Sequence, residues 1–424
     1  MRWQVYKWAP GFSPALLRGA QPSLPDVSEV FSLVESQGDE ALYALTEKWD
    51  GVKLGSLQVP AEGIRHAQVE ASLARAMEQA YANLYAFHLR QKPKEIVVET
   101  QPGVLCGLRY VPLERVGLYV PGGTAPLFST VLMLGVPAQI SGVPSVVLVT
   151  PPGPQGKVHP AVLYAARLCG IETVYTVGGA QAIAALAVGT PSIPRVDKIF
   201  GPGNRYVQAA KLEAARRGVA IDMPAGPSEV VVIADETAPP RWVAADLLAQ
   251  AEHGPDSLVG LLYTSAYPRE AVEKEMESLL QGHPRRSFVE ATLVHSWAVE
   301  VPDLPTALAV ANEVAPEHLI LACAEPERWL TYVRRAGSVF LGIHTPESAG
   351  DYASGTNHVL PTGGTARSYG GLTVLSFLRS FTYQQLRPEG VRTLGPLVEA
   401  LAEAEGLPSH AEAMRLRRTE ASPS

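Results

Sequence analysis

The residues best placed to do chemistry fall in a few short stretches. Gln250-Ala251-Glu252-His253 sets an amide and an imidazole three positions apart. On a helix both side chains share one face. Imidazole is a common metal ligand, and an amide oxygen can join it. The competing reading is a helix-terminal histidine favoured by the dipole, ahead of a Gly254-Pro255 stop. Pro316-Glu317-His318 puts a carboxylate beside an imidazole at a loop-to-strand junction. Both groups do acid/base work near neutral pH after modest shifts. Neighbours in a regular strand point to opposite faces, so the two share a site only at an irregular strand end; otherwise they are a capping Glu and a core His. Ser348–His358 is polar and glycine-rich and holds Asp351 and His358. A long polar loop inside a compact enzyme is usually functional. Glu405 and His410 flank a break at Gly406-Leu407-Pro408. By themselves they read as a solvated helix end.

These stretches offer Gln, His, Asp and His with no cysteine. A nitrogen and oxygen set of that kind suits Zn²⁺, or Mn²⁺ where coordination exceeds four. Glycine-bearing turns supply a second kind of feature: Tyr119–Pro126 (YVPGGTAP), Val177-Gly178-Gly179-Ala180-Gln181 and Gly201-Pro202-Gly203-Asn204. Glycine lets backbone approach a ligand, and a helix N-terminus accepts a phosphate or ribose. Tyr206 stands where a dinucleotide fingerprint needs its last glycine, so that fingerprint is not met. A tight turn without ligand remains the alternative at each. There is no H-E-x-x-H, no Walker loop and no G-x-S-x-G, which argues against common hydrolase and phosphotransfer classes.

The elements that must position these groups follow from pattern. The chain has 424 residues, enough for two or three domains at about 150 residues each. With 46% hydrophobic and 18% charged residues it can bury a large core, which excludes a disordered or fibrous chain. Lys plus Arg total 35 against 42 Asp plus Glu, so no basic balance points to nucleic acid or an anionic membrane. Three scattered cysteines, Cys106, Cys169 and Cys323, make no disulfide framework and suit a reducing cytoplasm. The N-terminus has no apolar core of the kind a signal peptide carries. The charge-free stretch between Arg115 and Lys157 is broken by prolines and glycines, so it reads as strands buried on both faces rather than a membrane span.

The first hundred residues read as helices, with Leu42, Leu45 and Trp49 on one face, then β-rich runs at Glu95–Thr100, Val104–Val111 and Arg115–Val120. From Ser145 onward β-runs and helical runs alternate, with Phe288–Val294, His318–Cys323 and Ser338–Leu341 as later strands. That alternation predicts βαβ units and parallel sheets, with ligands beyond the carboxyl ends of strands. The tail from about Leu394 reads as helical and charged.

The strings VGLYVPGGTAPLFSTVLMLGVPAQ, GGAQAIAALAVGT, KIFGPGNRYV, IDMPAGPSEV, LLAQAEHGPDS, APEHL, ESAGDYASGTNHVLPTGG and LAEAEGLPSH occur in this order. They resemble the histidinol dehydrogenase family over nearly the full length, from about Arg18 to Arg417. The resemblance implies an α/β fold of two mainly parallel-sheet, Rossmann-like domains in an aldehyde-dehydrogenase-like arrangement, with helical arms at both ends. The arms would be residues 1–20 and 373–424, the first domain 21–117 with 229–372, and the second, NAD-binding domain 118–228. It implies oxidation of L-histidinol to L-histidine through the aldehyde with two NAD⁺, one zinc per subunit, and a homodimer. Glu317 and His318 would be the acid/base pair. Gln250, His253, Asp351 and His410 would hold zinc. Tyr119, Gln181 and Asn204 would contact NAD. Ser228, His358 and Glu405 would contact substrate, with His318 and the zinc ligands beside it. Glu405 and His410 would serve the partner's site. No family position with an assigned role is substituted.

The residue types fit that chemistry. His318 suits removal of the hydroxyl proton, and Glu317 suits activation of the water that hydrates the aldehyde. No cysteine lies in these motifs, so no covalent thiol intermediate is expected. Competing readings are a relative acting on another amino alcohol, a metal-dependent hydrolase without nucleotide, and a non-catalytic binding module.

Overall fold

The computed structural model describes residues 3–17, 23–122, 126–224 and 226–420. The chain divides into two compact units, Met1–Gln91 with Glu114–Val374, and Lys92–Leu113 with Leu375–Ser424.

The first unit contains two parallel sheets. One runs in the order Gln4–Lys7, Trp297–Val301, Leu258–Thr264, Glu229–Ala234, His318–Ala322, Ser338–Leu341. Its central strand, EVVVIA, is buried along its whole length. A β-branched run without polar alternation is what a strand covered on both faces requires. Val230 and Val232 pack with Val243, Leu247 and Met276 on one face. Val231 and Ile233 pack with Leu308 and Ala311 on the other. The second sheet runs Thr173–Thr176, Ser145–Thr150, Arg115–Tyr119, Lys198–Phe200, Ala220–Ile221, again all parallel. The α/β class and the parallel sheets expected from the alternating pattern are therefore present.

Four local expectations need correction. The N-terminal arm is not helical: Gln4–Lys7 is a strand paired with Trp297–Val301, followed by one 3-10 turn at Pro14–Leu17. Pro10, Gly11 and Pro14 leave no room for a longer helix, and residues 1–2 and 18–20 lie outside the described residues. The charge-free stretch supplies strands only at its ends. Between them Phe128–Ser141 is a helix buried almost all round and ended by Gly142 at φ 81°. A charge-free, mostly apolar run of that length outlasts a strand, and a helix buried on every side belongs in a core. Phe288–Val294 is not a strand: Arg286–Leu293 is a helix that buries Val289, Thr292 and Leu293 at helical spacing, and the strand lies later, at Trp297–Val301. On the first helical face, Leu42 and Leu45 are buried but Trp49 is half exposed.

The second unit is built on an antiparallel sheet in which Val104–Pro112 lies between Leu378–Leu386 and Ile96–Gln101. The C-terminal tail thus begins with a strand, where β-favouring Phe381, Thr382 and Tyr383 fall together. Two helices follow, Pro388–Ala404 and Pro408–Glu420, joined by Arg418 Nε on Glu399 Oε1 at 2.7 Å.

Candidate active site

Helix Leu304–Val314 ends on Ala315, a non-glycine residue in the left-handed region at φ 58°. Pro316 and Glu317 then lead into the strand at His318. This irregular entry brings the two adjacent side chains together, with His318 Nδ1 3.7 Å from Glu317 Oε2. The neighbouring strand seats both. Glu317 Oε2 accepts the Glu229 N–H at 2.8 Å, and His318 Nδ1 lies 3.3 Å from the Glu229 carbonyl oxygen. Ser228 precedes that strand, its carbonyl accepting the Leu258 N–H at 3.0 Å.

These groups lie at the amino ends of the first sheet's strands, not beyond the carboxyl ends expected from the general rule. The connections that enter the strands carry the polar residues here.

Helix Glu347–Tyr352 closes the other side of His318. Glu347 and Asp351 are four apart, hence on one face. Asp351 Oδ1 lies 3.5 Å from His318 Nε2, and Glu347 Oε1 lies 3.9 Å from Nδ1. One ligand atom from each of His318, Glu347 and Asp351 falls within 4.8 Å of the others. Glu347 is absent from the candidates read from sequence. The signal was its position one turn before Asp351. Both its carboxylate oxygens are buried and have no hydrogen-bond partner among the described residues.

Electrostatics follows from this crowding. Burial raises Glu317 to about 8 against the opposing pull of His318. Burial also pushes Glu347 well above the usual carboxylate range, again with His318 opposing. Burial alone would lower His318, but the Glu317, Glu347 and Asp351 carboxylates outweigh it and raise the ring to about 10. Burial works to raise Asp351, yet its contact with His318 holds it low. Burial lowers His253 and His358 despite the nearby Asp351, which favours their neutral, ligating form.

Gln250 and His253 end helix Pro240–Ala251, with Gln250 Nε2 and His253 Nδ1 3.4 Å apart. Gln250 Oε1 is buried with no hydrogen-bond partner among the described residues. An orphaned amide oxygen, a neutral imidazole and a carboxylate held ionised fit a borderline divalent cation such as zinc. His358 Nδ1 contacts the Asp351 carbonyl at 2.8 Å, and its Nε2 lies 3.4 Å from Thr130 Oγ1. Asn357 donates to the Met133 carbonyl at 2.7 Å. The polar Ser348–His358 stretch is thereby tied to helix Phe128–Ser141, which follows the first strand of the second sheet. Glu405 and His410 belong to the second unit. Glu405 ends helix Pro388–Ala404, and His410 sits exposed in the first turn of the last helix.

The glycine-bearing turns gather at the carboxyl edge of the second sheet. The Tyr119 hydroxyl accepts the Gly179 N–H at 3.2 Å, and burial raises the phenol to about 12. Gln181 is buried in the first turn of helix Gly179–Val188, and its Oε1 lacks a hydrogen-bond partner among the described residues. Asn204 caps helix Arg205–Arg216, its Oδ1 accepting the Tyr206 and Val207 N–H groups at 3.0 and 3.1 Å. That oxygen is committed to the cap, which leaves the amide NH₂ free to face a ligand. Gly123, Thr124 and Ala125 of the Tyr119–Pro126 turn lie outside the described residues.

The family model for histidinol dehydrogenase matches residues 19–418. The chain belongs to the histidinol dehydrogenase family. A histidinol dehydrogenase of Vibrio vulnificus (strain CMCP6) is 50% identical over 408 residues, covering 95% of this chain and 94% of that protein. The crystal structure of histidinol dehydrogenase from Elizabethkingia anophelis matches at TM-score 0.95 and 44% identity, over 99% of this chain and 98% of that one. An NAD-dependent aldehyde dehydrogenase from Sinorhizobium meliloti, 15% identical at TM-score 0.50, shares the fold alone. As a histidinol dehydrogenase family member, the chain is an oxidoreductase of histidine biosynthesis. Burial raises the thiols of Cys169 and Cys323, which keeps them protonated and poorly nucleophilic. No helix among the described residues is long and apolar enough to cross a membrane.

Proposed function

We propose that the protein oxidises L-histidinol to L-histidine through the bound aldehyde, with NAD⁺ as acceptor in both steps and Zn²⁺ as resident metal. The observation that carries this reading is the seating of Glu317 and His318 on the main-chain N–H and C=O of Glu229, beside Asp351 and His253. Gln250, His253 and Asp351, with His410 of the partner subunit, would hold the metal. Bound NAD⁺ supplies the two-electron acceptor for each oxidation, and bound Zn²⁺ supplies a Lewis-acid anchor for the substrate's imidazole and amine.

His318 accepts the hydroxyl proton as the alcohol becomes an aldehyde. It must be neutral to do so. Positive charge brought among Glu317, Glu347 and Asp351, such as the substrate ammonium, offsets the carboxylates that raise it. Glu317 takes a proton from the water that hydrates the aldehyde, the protonated His318 returns its proton to the former carbonyl oxygen to complete the gem-diol, and His318, neutral again, takes a hydroxyl proton as the acid forms. The burial and raised pKa of Glu317 suit a carboxyl that must release and regain a proton near neutral pH. Glu347 steadies His318 from 3.9 Å off its Nδ1. Ser228, His358 and the partner's Glu405 contact the substrate, while Tyr119, Gln181 and Asn204 contact the nucleotide. The sites are composite across a homodimer, and the free cysteines suit the cytoplasm.

Turnover with NAD⁺ across a panel of amino alcohols tests the assignment. L-Histidinol is expected to be the fastest by far. A faster rate on an amino alcohol without imidazole would overturn it.

A further inference from the structure

The turn Gly201–Asn204 joins strand Lys198–Phe200 to helix Arg205–Arg216, and the main chain of its first residue is gripped on both sides by a buried ion pair. Lys211, on the buried face of that helix, directs Nζ to the Gly201 carbonyl at 2.9 Å and to the Asp222 carboxylate. Asp222, just after strand Ala220–Ile221, accepts the Gly201 N–H on Oδ2 at 2.8 Å and the Met223 N–H on Oδ1 at 2.7 Å. Each side chain is only 1% exposed.

Burying two charges is costly, and apolar residues of similar volume would stabilise a helix against a strand at least as well. Lys211 and Asp222 do something apolar residues cannot. The ammonium fixes the carbonyl and the carboxylate fixes the N–H of one and the same residue. Gly201 is held at φ 123°, where a Cβ would overlap the Tyr119 carbonyl oxygen. The clamp therefore sets this turn against Tyr119, three residues ahead of Asn204.

We propose that Lys211 and Asp222 are positioning residues of the nucleotide pocket, a preformed clamp that fixes the spacing between Tyr119 and Asn204. This rests on the reading that NAD⁺ binds at this edge of the second sheet. Neither residue touches the nucleotide; both act through the main chain of Gly201.

The test compares NAD⁺ dissociation constants and histidinol kinetics for the full-length protein, Lys211→Met, and Lys211→Met with Asp222→Asn, which leaves no unpaired buried charge. The NAD⁺ dissociation constant is expected to rise about 10-fold or more, the order set by one lost positioning contact. The KM for histidinol at saturating NAD⁺ should stay near that of the unsubstituted protein. Variants that melt lower yet bind NAD⁺ as tightly as the unsubstituted protein would reduce the pair to a structural role and overturn the proposal. Amide hydrogen exchange in the unsubstituted protein tests the clamp without any substitution. The Gly201 amide should be protected before NAD⁺ is added, and free exchange would refute a preformed clamp. If the unsubstituted protein fails to bind NAD⁺ at all, it is the nucleotide reading that falls.

Discussion

Glu317 and Glu229 meet through a 2.8 Å hydrogen bond from the Glu229 N–H to the Glu317 carboxylate, and the carbonyl of that same Glu229 faces His318 Nδ1 at 3.3 Å. The main chain of one residue thus orients the two acid/base groups. A Gln at position 317 can still accept that N–H, so Glu317→Gln keeps the seat and removes the base. It is expected to spare alcohol oxidation more than aldehyde oxidation, measured separately with histidinol and histidinaldehyde. His318→Asn should lower the alcohol step by about 10²–10⁴-fold, the usual size of general-base loss. Equal losses in both half-reactions for Glu317→Gln would remove the division of labour.

Glu347 raises His318 from a distance of 3.9 Å without touching the reacting atoms. Glu347→Gln keeps the shape and deletes that charge. The acid limb of the kcat/KM profile should move to lower pH by about one pH unit or more. A profile that drops in height without moving along the pH axis would show that Glu347 only packs.

Protonation of the cluster should also be visible in stability. Folding raises Glu317 from 4.5 to about 8 and His318 from 6.5 to about 10. A group raised on folding stabilises the fold below its unfolded pKa and loses that contribution as pH climbs through the folded value. Metal-stripped protein should therefore melt at falling temperature between about pH 6 and about pH 9, and Glu317→Gln should flatten the decline. A Tm that rises over this window, or an unchanged slope in the variant, would contradict the assignment.

Composite sites make a different demand. His318→Asn and His410→Ala each inactivate their own kind of site in separate homodimers. Mixed subunits should recover activity, because one of the two sites in a heterodimer then has both residues intact. No recovery in isolated heterodimers would assign His410 to its own chain's site.

Much of this architecture is legible in the sequence because the parallel strands announce themselves as β-branched runs between helical patterns, as at Glu229–Ala234. Short runs are harder. Phe288–Val294 has the composition of a strand, and only tertiary packing of Val289, Thr292 and Leu293 on one side decides for a helix. Gln4–Lys7 becomes a strand because an edge of the sheet lies open to it, which no local pattern states. In the site, the pairing of Glu317 with His318 depends on an irregular strand entry, for which left-handed Ala315 carries no sequence mark. Glu347 is hidden for a simpler reason. A glutamate at the start of a short polar helix reads as a solvated side chain, and its burial beside His318 brings together parts of the chain that are far apart in sequence.

The central claim is that one site performs both oxidations on a retained intermediate. The most direct measurement is the yield of NADH per L-histidinol consumed to completion by the zinc-loaded protein at excess NAD⁺. The account predicts two NADH for each histidinol, with L-histidine as the sole product. One NADH per histidinol, with aldehyde released to solution, would contradict it.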